Sequence, residues 1–345
     1  MKFRVGFVVA AVLFGLAAPE ALAQSFPSKP VRIVVPYPAG GAVDIIVRAL
    51  TDRLRDKWGT IIIENKAGGG TQIGTEYVGR ADPDGHTLLA TGMETFAISP
   101  FMYSKPSYDP AGFVPVVGIG YSDQLLIVTS SSPLKSVQDV ITQSKKESGA
   151  LQYGTVGVGG SSHINMVLFE NMAGIKLTPI HYRGGAPLVT DLLGGHVPMA
   201  FLSIQLGQQG INAGKMRPIA FATKARHPRF PDIPTVDESG VKGFEAVSWY
   251  GIFAPAGTPK DVLAKINADV QSVWSSAEFQ QNVVDPRILG TIPGSPDEFA
   301  AFVAAESAKW KKVVEQSNLE DQLAGRYRPR LELALSLQQC PGKSW

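Results

Sequence analysis

A single cysteine, Cys340, stands in 345 residues, so no disulfide can form within the chain. Histidine is nearly as scarce. The five, His86, His163, His181, His196 and His227, show no H-x-x-x-H or related spacing, and no metal site is expected. Neither sign of charge dominates: 32 basic against 30 acidic residues give +2, which leaves no electrostatic footprint for nucleic acid. The G-x-S-x-G signature of a nucleophile elbow is missing. Ser162 adjoins His163, yet neighbours on a helix do not face each other as nucleophile and base. Neither an enzyme nor a cofactor carrier is expected. Beyond the first two dozen residues, no run is long and apolar enough to span a bilayer.

What is present begins with "MKFRVGFVVAAVLFGLAAPEALAQS". Lys2 and Arg4 precede a short apolar stretch, and Ala21-Leu22-Ala23 is a small-x-small site. These features read as a secretory signal peptide (residues 1–23) cleaved after Ala23, with an uncleaved anchor as the alternative. Its removal takes the net charge to +1. An exported, periplasmic, soluble chain is expected. Such a compartment favours disulfides in small domains, but a chain of this length can rely on its core.

From Pro30 onward strands and helices alternate. "VRIVVPY", "TIIIENK" and "HTLLATG" read as strands, and "VDIIVRALTDRLRDKWG" and "TQIGTEYVGRA" as the helices between them. The first helix carries apolar residues at 45, 46, 49, 50 and 54. This order predicts a parallel α/β sheet. A second α/β unit follows, from "DQLLIVTS" to "MRPIAFAT". Two late helices, near 259–275 and 296–316, could form a third element or return to cover the first sheet. No repeat or low-complexity segment is evident.

Two strand–glycine–helix junctions carry the functional signal. In "VPYPAGGAVD", Gly40 and Gly41 open the backbone to close approach, and Asp44 falls in the first helical turn, where it can cap backbone donors. In "GTVGVGGSSHINM", Ser161 and Ser162 stand as N-cap candidates beside His163, which is expected to be neutral. Each junction could be an anion site at a helix N-terminus, or only a tight turn. Two of them in similar units raise the weight of the first reading. A third loop, "NKAGGGTQIG", matches a dinucleotide fingerprint poorly and follows the wrong strand. None of these loops ends in the Gly-Lys-Ser/Thr of a P-loop.

These stretches, together with "IENKAGGGTQIGTEYVGRADPDGHTLLATG", "HYRGGAPLVTDLLGGHVPMAF" and "AFATKARHPRFPDIPTVDESGVKGFEAVSWYGIFAPAGTP", resemble the substrate-binding proteins of tripartite tricarboxylate transporters, the Bug receptors. The likeness runs from about Pro27 to Leu319. It implies an α/β, two-lobed periplasmic binding protein of type II, a Venus flytrap with two crossovers between lobes. Lobe 1 is expected to comprise 24–126 plus 250–321, lobe 2 127–249, and an atypical tail 322–345. The hinge is expected near Tyr121–Thr129 and Ala246–Phe253. The resemblance also implies a small carboxylate ligand, a di- or tricarboxylate, aromatic acid or amino acid, held between one loop of each lobe. Carried over, the site comprises Tyr37, Ala39, Gly40, Gly41 and Asp44 in lobe 1. Gly157, Gly159, Gly160, Ser161, Ser162 and His163 come from lobe 2, and Thr95 lines the cleft. Partners would be the ligand and membrane transporter subunits; a monomer without cofactor is expected. A sensor presenting the ligand to a signalling partner is the alternative role. Two departures stand out. Ala42 replaces a common third glycine, and Leu202 replaces a common Asp, which argues against an amino-acid ligand.

Overall fold

The computed structural model describes residues 26–292 and 294–317. The expected signal peptide, its cleavage site, the tail and Cys340 lie outside these residues. In chain order the elements begin with β1 (Val31–Val35), α1 (Ala42–Trp58), β2 (Ile61–Asn65), α2 (Gln72–Gly79) and β3 (Thr87–Gly92). A π-type turn over Glu94–Ile98 runs into the short α3 (Ser99–Met102), and β4 (Phe113–Ser122) is followed at once by β5 (Gln124–Thr129). Then come α4 (Val137–Lys146), β6 (Gln152–Thr155), α5 (Ser161–Ala173), β7 (Thr178–His181), α6 (Gly185–Gly194), β8 (Met199–Ser203), α7 (Ile204–Asn212) and β9 (Met216–Phe221). The chain closes with β10 (Ser248–Pro255), α8 (Lys260–Trp274), the short α9 (Ala277–Phe279) and α10 (Asp285–Arg287), β11 (Leu289–Gly290) and α11 (Pro296–Gln316).

The first sheet has six strands in the order β11-β4-β10-β3-β1-β2. Its β2-β1-β3 half is parallel, as the alternation predicts, while β10 joins antiparallel to both β3 and β4. The second lobe holds an antiparallel β8-β5-β9 sheet and a parallel β6-β7 pair. The molecule is therefore mixed rather than purely parallel. The chain crosses twice: between β4, ending at Ser122, and β5, starting at Gln124, and again into β10 at Ser248. An expected boundary after residue 126 falls inside β5, and one before residue 250 falls inside β10.

Strand β4 was not foreseen from the sequence, although it lies second from the sheet's edge. Its glycines disguise it, and packing explains them. A Cβ at Gly118 would come 2.7 Å from Ile292, and one at Gly120, where φ is +92°, 2.7 Å from the Trp274 ring. Large side chains press flat onto this strand, so its own must be small.

Helix α1 buries Val43, Ile46, Val47, Leu50, Leu54 and Trp58, and Gly59 ends it with φ +64° and its N–H on the Arg55 carbonyl at 2.8 Å. The stripe is rotated from the one predicted: Ile45 is exposed. The late helices do return to the first lobe. Helix α8 packs on α1 and β4; α11 packs on β4, on the Glu94–Ile98 turn and on α5 of the second lobe. A capping box of Ser295 and Glu298 starts α11. Trp249 and Trp310 both donate their indole N–H to Glu306 Oε2, at 3.2 and 3.0 Å, and neither ring is exposed.

Candidate functional site

The β1–α1 loop places Pro38, Ala39 and Gly40 in solvent. Gly40 adopts φ +80° with open space where a side chain would go, so backbone conformation is what demands glycine there. Its N–H donates to Asp44 Oδ2 at 2.8 Å, and Arg48 Nε reaches the same oxygen at 2.9 Å. Asn65 donates to Asp44 Oδ1 at 2.9 Å. The Asp44 carboxylate is thus 2 % exposed and already engaged on both oxygens. Burial pushes its pKa up, but its three donors outweigh this and hold the group below the usual carboxylate value. Asp44 shapes the loop rather than facing the cleft. Gly41 is the N-cap residue, extended, and its N–H turns back to the Pro38 carbonyl at 3.4 Å. The N–H groups of Ala42, Val43 and Asp44 have no intrahelical acceptor. Ala42, the first helical residue, sits exposed where helical backbone accepts a Cβ without strain.

In the second lobe the N-cap of α5 is Gly160, not Ser161 or Ser162, which are the first two helical residues. Ser162 Oγ accepts from the Val156 N–H at 2.7 Å and is 1 % exposed. His163 is fully buried, and its Nδ1 accepts from the Gly159 N–H at 3.1 Å, which fixes the neutral tautomer expected. The N–H groups of Gly157 and Gly160 are also used, by Thr155 Oγ1 and the Gly157 carbonyl. Gly157 and Gly159 have φ of +133° and +73°; a Cβ on Gly159 would lie 2.5 Å from Met102 Sδ. This loop therefore touches α3 of the first lobe, and the cleft is closed at that point.

Thr95, expected to line the cleft, has no exposure. Its hydroxyl is 2.5 Å from that of Thr91 and 3.0 Å from that of Thr71, and Tyr108 donates to its carbonyl. The residue beside it is the one that sequence reasoning missed. Glu94 is half-buried between the lobes. Its Oε2 accepts from the Tyr37 hydroxyl at 3.0 Å, and the backbone N–H of Ser161, at the start of α5, lies near enough to stabilise the carboxylate. Tyr37 in turn accepts from the Gly92 N–H at 3.1 Å. Burial pushes the Glu94 carboxyl above its ordinary pKa, against these donors. The available signal was an isolated acid within the apolar run "ATGMETFAI".

The Gly68–Gly70 loop needs no nucleotide. A Cβ on Gly70 would come 2.6 Å from the Tyr103 hydroxyl, and one on Gly74 2.9 Å from the Lys66 carbonyl. Leu202 lies in the second-lobe core beside Leu125. Among the described residues no group of His, Cys, Asp and Glu could hold a metal ion, and no helix is long and apolar enough to cross a membrane. Two surface hollows lie near Arg32, Tyr77 and Arg80, away from both glycine loops.

The pattern of the tripartite tricarboxylate transporter family receptor matches residues 46–319. The chain belongs to that family. It is 32% identical over 320 residues to a protein of Pseudomonas sp. strain P51 encoded in the tcbD-tcbE intergenic region, covering 90% of this chain and 94% of the relative. Among solved structures, Rpa4515 of R. palustris with adipate superposes with TM-score 0.78 at 32% identity, over 85% of this chain and 98% of that one. MatC of Rhodopseudomonas palustris with bound malate gives 0.76 at 28% identity, over 84% and 100%. This transporter-receptor family consists of solute-binding proteins, and the two-lobed type II fold described above is theirs.

Proposed function

We propose that this receptor captures a small carboxylate between its two lobes in the periplasm and delivers it to a tripartite tricarboxylate-type membrane transporter. The observation that carries the reading is the opposition of two helix N-termini, α1 and α5, joined across the cleft by Tyr37, Glu94 and Ser161. The adipate and malate held by the two structural relatives support the ligand class. In this reading the ligand meets the free N–H groups of Ala42 and Val43 and the tip at Ala39 and Gly40 from lobe 1. From lobe 2 it meets the Ser161 hydroxyl and the Ser162 N–H. Gly41, Gly157, Gly159, Gly160, Ser162 Oγ and His163 shape these loops. The chain passes between the lobes at Asp123, between β4 and β5, and at Val247, just before β10, and closure about these crossovers buries the ligand and presents a surface to the transporter. The export signal ending at Ala23 belongs to the same proposal.

Isothermal calorimetry against mono-, di- and tricarboxylates tests it. Saturable binding of at least one class at micromolar or tighter concentration is expected. Heat from none of them would sink the receptor reading.

A further inference from the structure

Glu94 places a carboxylate of the protein at the junction of the two glycine loops. It stands between Tyr37 of the first-lobe loop and the first N–H of α5, at the positive end of that helix. Its donors are a phenol and backbone N–H groups, with no cation among them. It is part-buried at the contact between the two lobes, with the Tyr37 hydroxyl on its Oε2. Resting on the receptor reading above, we propose that Glu94 sets the ligand class: a carboxylate at the first-lobe loop and a hydrogen-bond donor, hydroxyl or ammonium, at the opposite end.

The argument is one of seats and donors. The first-lobe loop retains the unpaired N–H groups of Ala42 and Val43 for one ligand carboxylate. In the second lobe the glycine-loop donors are largely consumed. Val156, Gly157, Gly159 and Gly160 donate to Ser162, Thr155, His163 and Gly157, and the Ser161 N–H stabilises Glu94 itself. A second ligand carboxylate arriving there would share one helix terminus with Glu94, and two carboxylates in one seat cannot both stay ionised. A hydroxyl or ammonium at the same place instead finds an acceptor already oriented by Tyr37. Rejection by an unmatched like charge is the stronger lever of specificity.

The test uses the secreted protein at pH 8 in calorimetry with two matched series: succinate, 4-hydroxybutanoate and 4-aminobutanoate, and adipate, 6-hydroxyhexanoate and 6-aminohexanoate. In the wild type the better hydroxy or amino acid is expected to bind at least tenfold tighter than the diacid of equal length. Glu94→Gln keeps an acceptor for Tyr37 and Ser161 but removes the charge. It is expected to tighten diacid binding at least tenfold and to weaken the amino acid by a similar factor. A wild type that prefers the diacids overturns the proposal, whether or not the variant folds. So does a variant that tightens all six equally, because Glu94 would then be a competitor for the seat and not a selector. Binding that ranks with no dependence on Glu94 rejects this inference while leaving the receptor reading intact; no binding by any of the six probes rejects this inference, and the receptor reading falls only with the wider panel of mono-, di- and tricarboxylates.

Discussion

At the scale of single residues, the two loops are built less from ligand-facing hydroxyls than from side chains that hold the backbone in shape. Ser162 is the clearest case. Its hydroxyl accepts from the Val156 N–H inside the protein, so Ser162→Ala leaves a buried donor without a partner. That costs about 1–3 kcal/mol. A lowered urea midpoint with unchanged m-value is expected, and any loss of affinity follows from a looser loop; a variant as stable as wild type would contradict the assignment. Gly159→Ala acts differently. It forces an L residue to φ +73° and drives a methyl against Met102 of the other lobe. Open-form compactness, followed by small-angle scattering with and without a carboxylate, reads it: the variant is expected to contract less on ligand addition than wild type. The glycines and Asp44 were legible in the sequence because strand–glycine–helix is a local pattern. Which oxygen faces which donor was not, because it depends on Asn65, Arg48 and Tyr37, brought in by other elements.

At the scale of elements, helix α11 shows how the C-terminal segment joins the lobes. It rests on β4, on the turn that carries Glu94 and on α5, whose N-terminus meets Glu94. Its anchor is Glu306, which receives two buried indole N–H groups, from Trp249 and Trp310, while Lys309 neutralises the other oxygen at 3.1 Å. Glu306→Ala orphans both indoles and opens a cavity, an expected loss of roughly 2–4 kcal/mol. Glu306→Gln keeps an acceptor and is expected to retain most of that stability. Equal melting temperatures for the two variants would refute the role. Helices α8 and α11 were readable from their periodicity, and so were the parallel strands β1 to β3. Strand β4 and the antiparallel entry of β10 were not. A strand of alternating small residues has no periodic apolar signature, and a partner strand about 130 residues away leaves no local trace.

At the scale of the whole molecule, the two lobes are joined through crossovers of a residue or two, and the first of them, Asp123, carries a buried charge. Its carbonyl accepts from the Ile204 N–H of the second lobe, yet its Oδ1 has no hydrogen-bond partner and the side chain is nearly enclosed. Burial pushes its carboxyl up to about 6. His227 Nε2 lies 4.0 Å from Asp123 Oδ2, and His227 is itself held below its ordinary value, first by burial and then by Arg229, so no strong ion pair offsets the cost. With the folded value above the unfolded one near 3.8, the folded state holds the extra proton between about pH 4 and 6. Stability from this group is therefore greatest below that window and falls as pH rises through it, by at most roughly 3 kcal/mol. His227 contributes with the opposite sign, gaining stability as pH rises toward its ordinary value. The two are separated by comparing wild type with Asp123→Asn, which abolishes only the carboxylate's share. The variant is expected to melt a few degrees higher at pH 8 and to converge on wild type near pH 4. A constant offset across that range would show that the carboxylate at the crossover is not buried as the structure has it.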